Sequence, residues 1–438
     1  MGSPRIGAAL AVLATLTLAA AVRPATSAAQ ATQLPGSIPT GRILEHVAAA
    51  GDSSQSFALY LPRSYRPDRR WPLVVLLDPR GRADVPLRRL VPAAERLGYV
   101  VASSYNTASD VEGDPNTPAV NAIFGTLQPR LSLDARRFYL FGMSGTARAA
   151  WALGYAAAPH VVGVAGFGAG MPPDMDLDSA FARYGAPFAF YGGAGEDDFN
   201  HAELVLLAER LDAMEFPHAV VSYPGPHGWP QDPREFTAAL SWLHWMTMRR
   251  GLLAPDTAWL DSEYDRRMAE ASELEARGEL GPAWLACARL ASDAAGFLEQ
   301  PAAADCAARL AENPEVASWR ARRLELARAH IDYGDRASDW LRGTMAGRLP
   351  SLEDALADLA VDSLRALAAD TADAVQAAAA RRALANLFSL TSFYLPRFYI
   401  ERREWPRARL VLEIAEKLRP GAPGVRRQLD QVRAATGS

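Results

Sequence analysis

The stretch YLFGMSGTARAA (Tyr139–Ala150) changes character at its centre. Tyr139, Leu140 and Phe141 are large apolar residues that favour strands, whereas the alanine-rich tail after Thr146 favours a helix. Between them lies Gly142-Met143-Ser144-Gly145-Thr146, so a strand turns into a helix through two glycines with Ser144 at the crest. A serine in that position is either a polar residue in a tight turn or an exposed hydroxyl held up for chemistry.

The surrounding pattern fixes what kind of sheet this strand joins. FALYLP (Phe57–Pro62) alternates as a strand, and WPLVVLLDP (Trp71–Pro79) is a continuous apolar run of the kind a fully buried strand requires. PLRRLVPAAERLG then has helical spacing and stops at Gly98. The alternation continues through YVVASS, NAIFGTLQPRL, RFYLFGMS, GTARAAWALGYAA, VVGVAGFGAG, FAFYGGAG and HAVVSYPG to the helical PREFTAALSWLHWMTMRR. Strands alternating with helices predict an α/β fold with a mostly parallel sheet covered on both faces, with about eight elements of each kind. The connection after VVGVAGFGAG, rich in Met, Pro and Asp, is read as a short link without an inserted cap. After Gly251 the strand signals end, and Ala, Leu, Arg and Glu recur at helical spacing. The expected division is therefore residues 1–29, 30–250 and 256–438, the last all-α.

The 438 residues carry a net charge of −4 with 49% hydrophobic and 22% charged residues, an ordinary globular composition. Lys417 is the only lysine, and the arginines are dispersed rather than clustered, which argues against a nucleic-acid partner. Residues 1–29 join Arg5 to an apolar run and then to small residues, which reads as a secretory signal peptide and predicts a periplasmic or secreted protein without a mature membrane span. An uncleaved anchor is the alternative reading of the same run. Cys287 and Cys306, the two cysteines, lie about equally far from Gly296 between two helical stretches. In an exported chain that spacing predicts a disulfide, with two buried thiols as the alternative.

Ser144 needs a base and an acid to become a nucleophile, and in this strand-to-helix arrangement both follow it in the chain. Of seven histidines, His227 in VVSYPGPHGWP occupies the loop after the last strand; His201, His218, His244 and the others fall at element starts, inside helices or outside the region. The acid falls in Glu196-Asp197-Asp198, just after the preceding strand. Asp198, three residues past Gly195, is favoured over Asp197. The oxyanion is expected to meet the backbone amides of Gly145 and of Arg80, because Pro79 has no amide hydrogen. Arg80 and Arg82 otherwise read as solvated surface. Trp229 and the loop SSYNTASDVEGDPNTP (Ser103–Pro118) are expected to line the substrate pocket. No metal or organic cofactor is called for.

Four segments, FALYLPRSYRPDRRWPLVVLLDPRG, LSLDARRFYLFGMSGTARAAWAL, GEDDFNHAE and PGPHGWP, resemble the alpha/beta-hydrolase superfamily over residues 40–249, and in particular exported esterases similar to polyhydroxybutyrate depolymerases and feruloyl esterases. The resemblance implies Ser144 as nucleophile, Asp198 as triad acid and His227 as base, acting on small or polymeric esters. Asp78-Pro79 stands where such enzymes carry His-Gly, and Thr146 where they carry glycine. Leu395, Tyr399, Ala408, Leu412, Ala415 and Pro420 fall at the spacing of a tetratricopeptide repeat, with a weaker copy around Gly278 and Ala283, so the helical region is expected to offer a surface for a protein partner. Two rival readings are a scaffold whose hydrolase region has lost activity and a serine peptidase of the same fold.

Overall fold

The first buried strand, Trp71–Leu77, explains the layering: all seven residues are buried, and their side chains alternate between two cores. Val74 and Leu76 face one apolar cluster, while Leu73, Val75 and Leu77 face another. The structure is a computed structural model that describes residues 32–437, without the side chains of 344–346. The proposed leader, residues 1–29, lies outside the described residues.

In chain order the sheet region comprises β1 (Ile43–Ala49), β2 (Asp52–Tyr60), β3 (Trp71–Leu77), α1 (Asp84–Leu97), β4 (Val100–Ser104), α2 (Asn116–Leu127), β5 (Leu133–Met143), α3 (Gly145–Ala156), β6 (Val161–Phe167), α4 (Leu177–Tyr184), β7 (Ala189–Gly195), α5 (His201–Ala213), β8 (His218–Tyr223) and α6 (Pro233–Arg249). Among the described residues the eight strands order as β1-β2-β4-β3-β5-β6-β7-β8. β2 pairs antiparallel with β1 and β4, and every other pairing is parallel. This is the mostly parallel sheet of an alpha/beta-hydrolase fold. Helices α1 and α6 cover one face; α2, α3 and α5 cover the other.

The sequence reading missed β1, whose partner β2 follows after a two-residue turn and therefore needs no intervening helix. For the same reason six helices, not eight, accompany the strands. The short link after β6 holds an eight-residue helix, α4, with Asp176 accepting from the Ser179 amide as its cap.

Past α6 the chain is helical: α7 (Thr257–Ala276), α8 (Leu280–Ala294), α9 (Ala302–Ala311), α10 (Pro314–Ala346), α11 (Leu352–Asp358), α12 (Val361–Ala369), α13 (Ala374–Ser389), a π-helical turn at Leu390–Tyr394, α14 (Leu395–Glu401), α15 (Trp405–Leu418) and α16 (Pro423–Thr436). Leu260, Tyr264, Leu290 and Ala303 from α7–α9 join the apolar cluster beneath α6. Asp293 accepts from the Trp242 indole and from Arg267, and its carbonyl accepts from the Trp245 indole. The first helices of this region thus share a core with the sheet. Tyr399, Ala408, Leu412 and Ala415 bury one face of the α14–α15 hairpin in a separate cluster. None of the helices among the described residues is long and apolar enough to cross a membrane.

Cys287 of α8 is bonded to Cys306 of α9, with Cα atoms 5.9 Å apart and a sequence separation of 19. A loop of that length restricts the unfolded chain enough to stabilise the fold by about 3 kcal/mol. Replacing both cysteines by serine is expected to lower the urea midpoint by a corresponding amount. Equal midpoints for the variant and the oxidised wild type would show that the bond contributes nothing.

Candidate active site

Three loops at the carboxyl ends of β5, β7 and β8 bring one side chain each to a common point. At the first, Ser144 has φ 56° and ψ −130°, a positive-φ geometry that side chains other than glycine rarely adopt. Two glycines make that turn possible. A Cβ on Gly142 would lie 2.2 Å from the Thr146 carbonyl, and one on Gly145 would lie 2.5 Å from the Ser109 Cβ. The crowding comes from α3 itself at the first position and from the Ser103–Pro118 loop at the second.

Thr146, which stands where related motifs carry glycine, is fully buried and has a structural task. Its hydroxyl donates to the Leu77 carbonyl at 2.5 Å and accepts from the Met143 amide at 3.1 Å. The turn that lifts Ser144 is thereby tied to the end of β3.

His227 Nε2 lies 3.0 Å from Ser144 Oγ, and His227 Nδ1 lies 2.8 Å from Asp198 Oδ1. A carboxylate only accepts, so Nδ1 carries the proton and Nε2 is left to accept from the serine hydroxyl. Asp198 is fully buried, and its Oδ1 also accepts from the Asn200 amide at 2.8 Å. Asp197 turns the other way and pairs with Arg381 at 2.7 Å. The imidazole is further held by Phe199, whose ring centroid is 4.1 Å from its own.

The oxyanion region differs from the sequence expectation. The Gly145 amide opens α3 and meets no acceptor among the described residues. The Arg80 amide is already engaged: it donates to Asp78 Oδ1 at 2.9 Å. An aspartate two residues before an amide closes this turn locally, which the sequence reading did not weigh. Asp78 also accepts from the Arg82 amide at 3.0 Å and from two nitrogens of the Arg82 guanidinium at 3.0–3.1 Å, so Arg82 is not a free surface arginine.

Trp229 requires the same correction. It is 4% exposed, packs against Phe167 and Phe236, and donates its indole N–H to Asp78 Oδ2 at 2.8 Å. It braces the His227 loop from within and does not line a pocket. Burial by itself would raise the Asp78 pKa; the hydrogen bonds from Arg82, Trp229 and Arg80 outweigh it and hold the carboxyl below the usual range.

Sequence reasoning also missed the contribution of the helical region. His330 of α10 donates from Nε2 to the Phe199 carbonyl at 2.8 Å, since a carbonyl can only accept. Burial lowers the pKa of this imidazole and favours its neutral form. Arg382 reaches the Glu196 carbonyl at 2.9 Å, and Arg397 reaches the Asp110 carbonyl at 3.1 Å. Helices α10, α13 and α14 thus hold the loop that carries the acid and the loop that crowds Gly145. Beside them, Glu203 forms an ion pair with Arg148; burial raises its pKa and the guanidinium opposes that shift.

Neither a family model nor a curated protein sequence matches the chain. Solved structures resemble about half of it. One is the substrate-bound fluorophosphonate-binding serine hydrolase F of Staphylococcus aureus, at 13% identity and TM-score 0.39, over 47% of this chain and 99% of that one. A second is S-formylglutathione hydrolase of Staphylococcus aureus, at 14% and 0.37, over 44% and 92%. A third is a mutant feruloyl esterase module from Clostridium thermocellum complexed with sinapinate, at 14% and 0.38, over 50% and 93%. Similarity this low assigns no chemistry, which rests on the geometry above.

Asp78→Ala leaves the Trp229 indole, the Arg82 guanidinium and two amides without their shared acceptor, an expected loss of about 3–5 kcal/mol in urea unfolding. Because the folded-state pKa of Asp78 is depressed, its contribution is complete above the unfolded carboxylate value and is lost as pH falls through the folded value. The stability gap between wild type and variant is therefore expected to narrow in acid, below about pH 4. A gap that stays constant down to pH 2 would contradict this account.

Proposed function

We propose that the protein is an exported serine hydrolase that cleaves carboxylic esters through an acyl-enzyme. The observation that carries this reading is the Ser144–His227–Asp198 chain of hydrogen bonds, at 3.0 and 2.8 Å. His227 Nε2 takes the proton as Ser144 Oγ attacks the ester carbonyl, and Asp198 stabilises the imidazolium. The imidazolium then protonates the leaving alcohol, and water, deprotonated in turn by His227, releases the acid.

The oxyanion loop favours esters over peptides. With the Arg80 amide engaged by Asp78, Gly145 offers the one backbone donor of the expected pair that is free. Lack of one such donor typically costs about 10²–10³ in turnover. Esters with good leaving groups tolerate that loss better than amides, whose departing nitrogen must also be protonated. The helical region, read as a degenerate tetratricopeptide-like array, braces this site and offers a surface for a polymeric substrate or a protein partner. The leader reading supports a periplasmic or secreted location.

Ser144→Ala is expected to abolish labelling by a fluorophosphonate probe and to lower turnover of an aryl ester at least about 10³-fold. Asp198→Asn should fall nearly as far, while Asp197→Asn, which loses only an exposed ion pair, should stay close to wild type. Well-folded wild type that neither labels nor turns over esters would support the scaffold reading instead. Faster cleavage of peptide amides than of esters would support a peptidase.

A further inference from the structure

At the opposite edge of the sheet from Ser144, the helical region and the sheet enclose a cavity of about 870 Å³. Its walls are the end of α5, the start of β8, the end of α6, and α8 and α10. The volume lies within the range of sites that hold small organic ligands, about 300–1,000 Å³.

The charges in this wall do not balance. Arg289 of α8 and Arg323 of α10 both line the cavity, and among the described residues neither forms a hydrogen bond or an ion pair. Arg323 lies 5.6 Å from the centroid of the Trp319 ring. Arg249 and Arg250 add charge without neutralising partners, since their guanidinium groups donate to backbone carbonyls. Of the acids in the wall, Glu209 is paired with Arg328 and Asp293 with Arg267. Asp212 and Glu215 remain; Asp212, 77% exposed and 3.5 Å from His218, is a negative charge that acts on both Arg289 and Arg323. Burial and the neighbouring Arg323 lower the pKa of the Arg289 guanidinium to about 10, still fully charged at neutral pH. Two partly buried guanidinium groups that repel each other and share one largely exposed carboxylate leave positive charge that an anion in the cavity would offset.

We propose that this cavity binds a small organic anion whose carboxylate or phosphate head bridges Arg289 and Arg323. The planar guanidinium fork suits either head group, and the rest of the ligand would lie beside Trp284 and Trp319. Arg320 already covers one face of Trp284 at 4.1 Å, which closes that wall with a further positive charge. The site is independent of the hydrolase chemistry, because its residues come from the other edge of the sheet.

Isothermal titration of the full chain with phenyl phosphate and, separately, benzoate tests this, against sodium chloride at equal ionic strength. At least one of the two is expected to bind with 1:1 stoichiometry, and the arm that binds identifies the head group. Arg289→Met with Arg323→Met keeps side-chain length and should weaken that binding at least about tenfold. Ser144→Ala should leave it unchanged. Binding of neither probe, or equal affinity in the methionine variant, overturns the proposal. If that variant fails to fold by circular dichroism, Arg323→Lys decides: it keeps the charge and loses the fork, so undiminished affinity overturns the proposal and weakened affinity supports it.

Discussion

The buried carboxylate of Asp78, at the end of β3, is the point on which the arrangement of the site depends. It sits between the loop that follows β3 and the loop that carries His227. One oxygen accepts from the Arg80 and Arg82 amides, and the other accepts from the Trp229 indole two residues past His227. Arg89 of α1 adds a second tie, donating to the Pro230 carbonyl at 2.9 Å. The histidine loop is therefore fastened to the first buried strand as well as to its own. The same carboxylate withdraws the Arg80 amide from the substrate side. An anchor and a weakened oxyanion site are two results of one residue.

The helical region completes what the sheet leaves loose. Within the sheet region the loop after β7 is held by the Asp198 amide on the Gly195 carbonyl at 3.0 Å, the Asp197 amide on the Gly225 carbonyl at 3.1 Å and the Asn200 side chain on the Gly168 carbonyl at 2.8 Å. His330, Arg381 and Arg382 add contacts to Phe199, Asp197 and Glu196 from outside. Since the Phe199 ring packs against His227 and its carbonyl accepts from His330, the contact from α10 reaches the imidazole through one intervening residue. Exposed ion pairs such as Asp197–Arg381 contribute little, about 0–1 kcal/mol. The buried hydrogen bond from His330 has more effect, because losing it would strand the Phe199 carbonyl.

Much of this was legible in the sequence, and the reasons differ by residue. Parallel strands buried on both faces read as unbroken apolar runs, so β3 through β8 were visible; β1 belongs to an antiparallel edge pair with weaker patterning and was not. Ser144, Asp198 and His227 could be chosen because chain order and position after a strand constrain them strongly. Trp229 and Arg80 were misjudged because their surroundings depend on Asp78, 151 residues from Trp229 in the chain. A departure from a familiar motif signals an altered network, but the partners of that network lie in three dimensions. Thr146 departs from the motif's glycine, and its hydroxyl ties the turn to β3, a contact that sequence spacing alone does not display.

One element connects the two ends of the sheet. Helix α10 packs along α5, with Leu324, Ala327 and Ile331 against Ala202, Val205 and Leu206. Arg323 at one point on α10 lines the arginine-rich cavity, and His330 seven residues later holds the acid loop. At 1.5 Å per residue these positions are about 10 Å apart along a continuous helix. One helix, packed on α5, therefore supplies both a wall residue of the cavity and the hydrogen bond that holds the Phe199 carbonyl beside Asp198.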